Sequence, residues 1–199
     1  MAQTEITVQV FENIEKIKEK LENFGYVWNE KLSGTDQYFS TFSSQKVKTA
    51  SYKELLDSSI IIREFDKQST GLHQTMLLHK KKNVDNEGKV IGEEKISLSI
   101  DNSKTAFKLL SNAGLVNWMS LSQENNFYSK GEIIVIAGTV KGLEGSFIEI
   151  EEYPSIKGYS ETEKFNILCD LVNSFGFKIG SDYSCKKIYM LYEKNNQKQ

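Results

Sequence analysis

The sequence predicts an α+β fold in which an antiparallel sheet of seven or more strands, closed or strongly curved, is flanked by helices. Three observations carry that prediction. Polar and apolar residues alternate with period two in many short segments, as half-buried strands require. Three segments carry apolar stripes at helical spacing. The order strand, helix, glycine, then several strands runs from Glu5 and recurs from Glu93. So many alternating strands can bury one face only if the sheet curls, and a polar inner face would then line a cavity.

The elements follow in order. Ile6, Val8 and Val10 alternate with Glu5, Thr7 and Gln9, which predicts the first strand. A helix over residues 12–24 aligns Ile14, Ile17, Leu21 and Phe24 on one stripe, and Gly25 supplies a left-handed stop. Residues 26–42 read as two strands joined by a turn at Ser33-Gly34, and 52–56 as a short helix. Strands are predicted over 59–65, 76–82 and 93–100, with a hairpin loop at 83–92. A second helix runs from a Ser103 cap to Gly114. Strands then fit 115–121, 125–130, 132–140 and 146–153. The third helix opens on Ser160 and Glu163, a capping-box pair, and aligns Phe165, Leu168, Leu171, Val172 and Phe175. A short helix over 184–192 and a polar, frayed tail close the chain. No linker composition separates the two stretches. The chain therefore reads as one domain, 1–199, made of pseudo-repeated halves at about 1–92 and 93–199.

Composition narrows the function. Lys and Arg number 25 against 27 Asp and Glu, a net charge of −2, which argues against general DNA or anionic-membrane binding. An anion site must be a local cluster of cations. No apolar run is long enough to span a membrane, and the polar, alternating start suggests no signal peptide. Cys169 and Cys185 stand alone, as expected in a reducing cytoplasm. They share no ligand spacing with His73 and His79, so a zinc site is not expected. No Walker loop, Ser-His-Asp set or Cys-His set is present.

Several segments, in matching order over nearly the whole chain, resemble the CYTH superfamily of class IV adenylate cyclases, thiamine triphosphatases and inorganic triphosphatases. Glu5-Ile6-Thr7-Val8-Gln9 stands where that family has its E-x-E-x-K strand. Asp36-Gln37-Tyr38-Phe39 resembles "D-x-Y-F", Ile61-Ile62-Arg63 resembles "R-x-R", and Leu77-Leu78-His79-Lys80 resembles "L-T-x-K". The stretch from Val140 through Gly142, Leu143 and Phe147 to Glu149-Ile150-Glu151 resembles "V-x-G-L-G-x-F-x-E-I-E".

The resemblance implies an eight-stranded tunnel. Inward Lys and Arg would bind a triphosphate and inward carboxylates would hold Mg²⁺ or Mn²⁺. It places phosphate on Arg63, Lys80, Lys82 and Lys95, and metal on Glu5, Glu149 and Glu151. Glu149 and Glu151 share a strand face about 7 Å apart, so they repel unless a cation lies between them. The ligand would be a nucleotide, tripolyphosphate or thiamine triphosphate, and a homodimer is compatible with this reading.

The chain also departs from the family pattern. Gln9 replaces a lysine and Ile61 an arginine, Ser122 and Glu124 stand where two cations are expected, and Gly138 stands where an aspartate is. Counted on alternation, Arg63, Lys80, Lys82 and Lys95 face inward with Glu5, Glu93, Glu124, Glu149 and Glu151, a nearly neutral lining. Two functions stay open: metal-dependent triphosphate hydrolysis or nucleotide cyclisation, and a binding module that has lost catalysis and recognises a phosphorylated ligand or a protein partner. A mostly apolar lining would argue against both.

Overall fold

The computed structural model describes residues 4–84 and 90–196, without the side chains of 81–94. Eight strands form one antiparallel sheet: β1 (Glu5–Val10), β2 (Val27–Ser40), β3 (Ser59–Lys67), β4 (Leu72–Val84), β5 (Val90–Ile100), β6 (Val116–Lys130), β7 (Ile133–Val140) and β8 (Ser146–Glu151). Their order is β1-β8-β7-β6-β2-β3-β4-β5. Among the described residues that order is not closed on itself. The helices are α1 (Ile14–Asn23), α2 (Ser44–Thr49), α3 (Tyr52–Asp57), α4 (Ser103–Asn112), α5 (Glu161–Ser174) and α6 (Lys187–Asn196).

The chain divides into two compact units. A central unit spans Ser33–Ser122, and a terminal unit joins Gln3–Leu32 to Gln123–Gln199. In the terminal unit, Ile6, Val8, Val135, Ala137, Tyr128, Ile148 and Ile150 pack with Ile17 and Leu21 of α1 and Leu168 and Val172 of α5. Each fully buried Ile or Leu contributes about 2 kcal/mol relative to an exposed one. In the central unit, Phe39 and Ile62 pack with Ala106 and Leu110 of α4.

Local chemistry sets the helix ends. Ser160 accepts from the Glu163 N–H while Glu163 accepts from the Ser160 N–H, the predicted reciprocal cap. α3 has the same device in Ser51 and Glu54. The chain turns after α1 and α4 at Gly25 and Gly114, with φ of 81° and 87°, a conformation that side chains with a Cβ rarely adopt.

Several expectations are corrected. Residues 27–40 form one strand, with no turn at Ser33-Gly34. Gly34 is needed there because a Cβ would come within 2.5 Å of the Glu64 carbonyl oxygen, so the glycine permits close backbone approach. Residues 116–130 are likewise one strand rather than two. The cap of α4 is Asn102, whose side chain accepts from the Thr105 N–H, and not Ser103. Residues 44–49 form a short helix that their weak periodicity did not suggest. α6 begins at Lys187 and continues to Asn196, and the residues before it run along β1 instead of starting the helix.

Candidate functional site

Sheet register sorts the candidate residues by face. In the central unit Arg63 is opposite Met76, Ile61 opposite Leu78, and Lys80 opposite Lys95. Opposed residues in a ladder share a face, so Arg63, Lys80 and Lys95 lie on one side of β3, β4 and β5 with Ser97 and Ser99. Lys82 is opposite Glu93 in the backbone register of the same ladder. The side chains of both lie outside the described residues. Ile61 and Leu78 are buried on this face, so it mixes apolar and cationic side chains.

Arg63 is held by a partner that the motifs quoted but did not assign. Its Nε donates to Asp36 Oδ1 at 2.7 Å and its Nη2 to Asp36 Oδ2 at 2.5 Å. Asp36 is 3% exposed. Such a two-point pair fixes the guanidinium plane, and Asp36 supplies the counter-charge that Arg63 would otherwise seek in a ligand. Two residues on along β2, the Tyr38 ring packs 5.5 Å from that of Trp118. Burial pushes the Tyr38 phenol above its usual range, the Asp36 charge adds to that, and Arg63 opposes it. Trp118 Nε1 donates to Ser59 Oγ at 3.0 Å. Trp118 is thus a packing residue, whereas Trp28 is 41% exposed.

In the terminal unit Glu5 is opposite Glu151 and Thr7 is opposite Glu149. All three predicted metal residues therefore share one face of β1 and β8. Glu149, however, accepts from Lys187 Nζ of α6, which also donates to Gln123 Oε1 at 2.8 Å. Among the described residues no three His, Cys, Asp or Glu side chains gather as a metal-holding group. A divalent cation prefers six or more oxygens with several carboxylates. Glu149, paired with an ammonium and set beside a carboxamide, is a poor ligand for one.

Glu124 is opposite Thr139, Asn126 opposite Ala137 and Tyr128 opposite Val135, on the face that packs against α1 and α5. Glu124 pairs with Lys31 at 2.8 Å. The expected inward place of Glu124 is therefore wrong. Because β6 is one unbroken strand, Gln123, Asn125 and Phe127 take the Glu149 face, and a one-residue difference of register exchanges the two sets. Gly138 is opposite Asn125, and a Cβ at Gly138 would meet Asn125 Oδ1 at 2.1 Å and the Glu124 carbonyl oxygen at 2.8 Å. Where the motif has an aspartate, the carboxamide from the adjacent strand fills the space. Gln9 Nε2 is engaged by the Glu144 carbonyl oxygen at 2.8 Å.

Several other chemistry-bearing groups tie the fold together. Lys164 joins Glu152 at 3.0 Å and Glu161 at 2.9 Å, tying the residue after β8 to α5. His73 pairs with Asp66 at 2.8 Å, and Cys169 packs against the core, where burial pushes its thiol up. Sequence reading missed Asp36 as the partner of Arg63, although Asp36, Tyr38 and Ser40 do alternate. It had no signal for Lys187, which looks like any surface lysine beside Lys186.

No protein-family model matches the sequence, and no curated protein matches it. Solved structures do. The PH1819 protein of Pyrococcus horikoshii OT3 is 21% identical at a TM-score of 0.70, covering 96% of this chain and 99% of that one. The PH1012 protein of the same organism is 19% identical at 0.66, covering 95% and 98%. A Hippeastrum protein described as a candidate adenylyl cyclase with a dominant triphosphatase activity is 14% identical at 0.61, covering 97% and 96%. At these identities the likeness speaks to fold. The chain has a CYTH-like fold, as its ordered motifs implied. No helix among the described residues is long and apolar enough to cross a membrane.

Proposed function

We propose that this chain is a CYTH-fold binding protein for a phosphorylated ligand, a triphosphate or a nucleotide, held by Arg63, Lys80 and Lys95 of the central unit. The observation that carries this reading is the direct opposition of Lys80 and Lys95 on the face that bears Arg63. Two ammonium groups on opposed positions stand about 5 Å apart at Cβ and repel. A polyanion lying across them converts that repulsion into two charge-assisted contacts. Ser97 and Ser99 add hydroxyl donors on the same face.

A second reading is metal-dependent turnover of the same ligands, with Mg²⁺ or Mn²⁺. The opposition of Glu5 and Glu151 favours it, since paired carboxylates draw cations. The pairing of Glu149 with Lys187 weighs against it.

The test is incubation of the full chain with tripolyphosphate, ATP and thiamine triphosphate, with and without Mg²⁺ or Mn²⁺. Release of phosphate or a cyclic nucleotide is measured beside thermal stabilisation. Stabilisation without turnover, lost in Lys80→Ala, supports the binding protein. Turnover abolished by Glu149→Ala replaces it with the enzyme. Neither stabilisation nor turnover with any of the three ligands refutes both.

A further inference from the structure

The face of the terminal unit that carries Glu149 has a resident cation. Gly138 on β7 is opposite Asn125 on one side and Phe147 on the other. Gln123 lies two residues from Asn125 along β6, and Glu149 lies two residues from Phe147 along β8, so both share the face of Gly138. Lys187 Nζ donates to both Gln123 Oε1 and Glu149 Oε1 on this face. Beside Gly138, Asn125 Oδ1 is buried with no hydrogen-bond partner, a further acceptor on the same face. The ammonium thus has one counter-charge, Glu149, and one carboxamide oxygen, Gln123, as its acceptors on this face.

The lysine is delivered by the fold. Thr7 N–H donates to the Tyr183 carbonyl and Cys185 N–H donates to the Thr7 carbonyl, both at 3.0 Å. Gly180 N–H donates to the Gln9 carbonyl at 2.9 Å. The chain before α6 thus lies along the outer edge of β1, and Thr7 is the cross-strand partner of Glu149. Ile188 and Leu191 of α6 are buried, and Leu191 lies against Gly142. The Lys187 side chain is only 14% exposed. It is also the first residue of its helix, where the backbone dipole disfavours a cation and its pairing with Glu149 offsets that.

We propose that Lys187 is a tethered cation that occupies the position a divalent metal would take at Glu149, which makes Glu149 unavailable as a metal ligand. A metal would have to displace an ammonium that the fold holds in place. This inference concerns the terminal unit and does not depend on ligand binding by Arg63, Lys80 and Lys95.

The test is titration of Mn²⁺, with no other ligand present, into the full wild-type chain, Lys187→Met, Lys187→Arg, Glu149→Gln and the Lys187→Met/Glu149→Gln double variant. Binding is read by calorimetry and by Tm. Wild type, Lys187→Arg and Glu149→Gln should show no saturable Mn²⁺ binding at this face. Lys187→Met should gain it, with Tm rising by roughly 5–10 °C once Mn²⁺ exceeds its Kd about a hundredfold, and the double variant should lose that gain. A Lys187→Met protein with no Mn²⁺ response overturns the proposal. Should that variant not fold, the wild-type arm still decides: saturable Mn²⁺ binding that Glu149→Gln abolishes overturns it, and its absence upholds it.

Discussion

Asp36 clamps Arg63 through both ends of its carboxylate, and only Arg63 retains contact with solvent. A buried carboxylate needs its cation more than a partly exposed guanidinium needs its anion. Arg63→Ala should therefore lower stability by about 3 kcal/mol in urea denaturation, because Asp36 is left charged and unpaired. Asp36→Asn should cost less, since it removes the buried charge while its carboxamide oxygen can still accept from Arg63. In tripolyphosphate titrations it should also bind more tightly than wild type, because the guanidinium is no longer neutralised. Unchanged or weaker binding would show that Arg63 acts only in folding.

Lys95 should trade stability against binding. Removing one member of an opposed like-charge pair relieves repulsion, so Lys95→Thr should raise stability by up to about 0.5 kcal/mol at low salt. The same variant should bind tripolyphosphate roughly tenfold more weakly, the loss expected for one charge-assisted contact. Both differences should shrink as NaCl is raised, since an exposed lysine is screened. Calorimetry at two salt concentrations checks all of this.

Restoring the motif aspartate should fail at Gly138. Its Cα faces Asn125 Oδ1 and the Glu124 carbonyl so closely that any Cβ forces a shift of β6. Gly138→Ala should destabilise by about 2 kcal/mol, as overpacking does, and Gly138→Asp by more. Combining Gly138→Ala with Asn125→Gly should recover part of the loss, although the carbonyl contact remains. Thermal melts of the three variants, with coupling between the two sites as the readout, check this account.

Alkaline pH should weaken the fold through its buried phenols. Burial, with smaller contributions from Glu22 and Glu15, pushes Tyr128 up to about 12, whereas the unfolded chain titrates near 10. The folded state thus holds the proton longer. That stability is present in full below pH 10 and is lost as pH rises from there through about 12. Tm followed from pH 8 to 12 should fall above pH 10, and Tyr128→Phe should flatten that limb.

Much of the architecture was legible because it depends on neighbours in sequence. The period-two pattern of Ile6, Val8 and Val10, the stripe of Ile17 and Leu21, and the Ser160–Glu163 cap are decided within a few residues. The structure reproduces each of them. Legibility failed where a distant backbone or a strand's continuity decides. Gly34 looked like a turn because glycine permits turns, but it also permits close approach, and only the position of Glu64 distinguishes the two. Glu124 takes the opposite face to the one its motif position implies, because the β6–β7 register places Asn125, one residue on, beside Gly138.

The sequence by itself determined the alternating antiparallel plan with flanking helices, and the ordered motifs implied its CYTH-like form. It also determined the shared face of Glu149 and Glu151, because alternation within one strand follows from backbone geometry alone. The tertiary structure decided which charges face one another. Asp36 lies 27 residues from Arg63, and Lys187 lies 38 residues from Glu149. No local pattern links such residues. Their pairing follows from the strand order and from the path of the chain along β1. Those pairings set how much charge each face has left for a ligand, a balance that counting residues along strands could not supply.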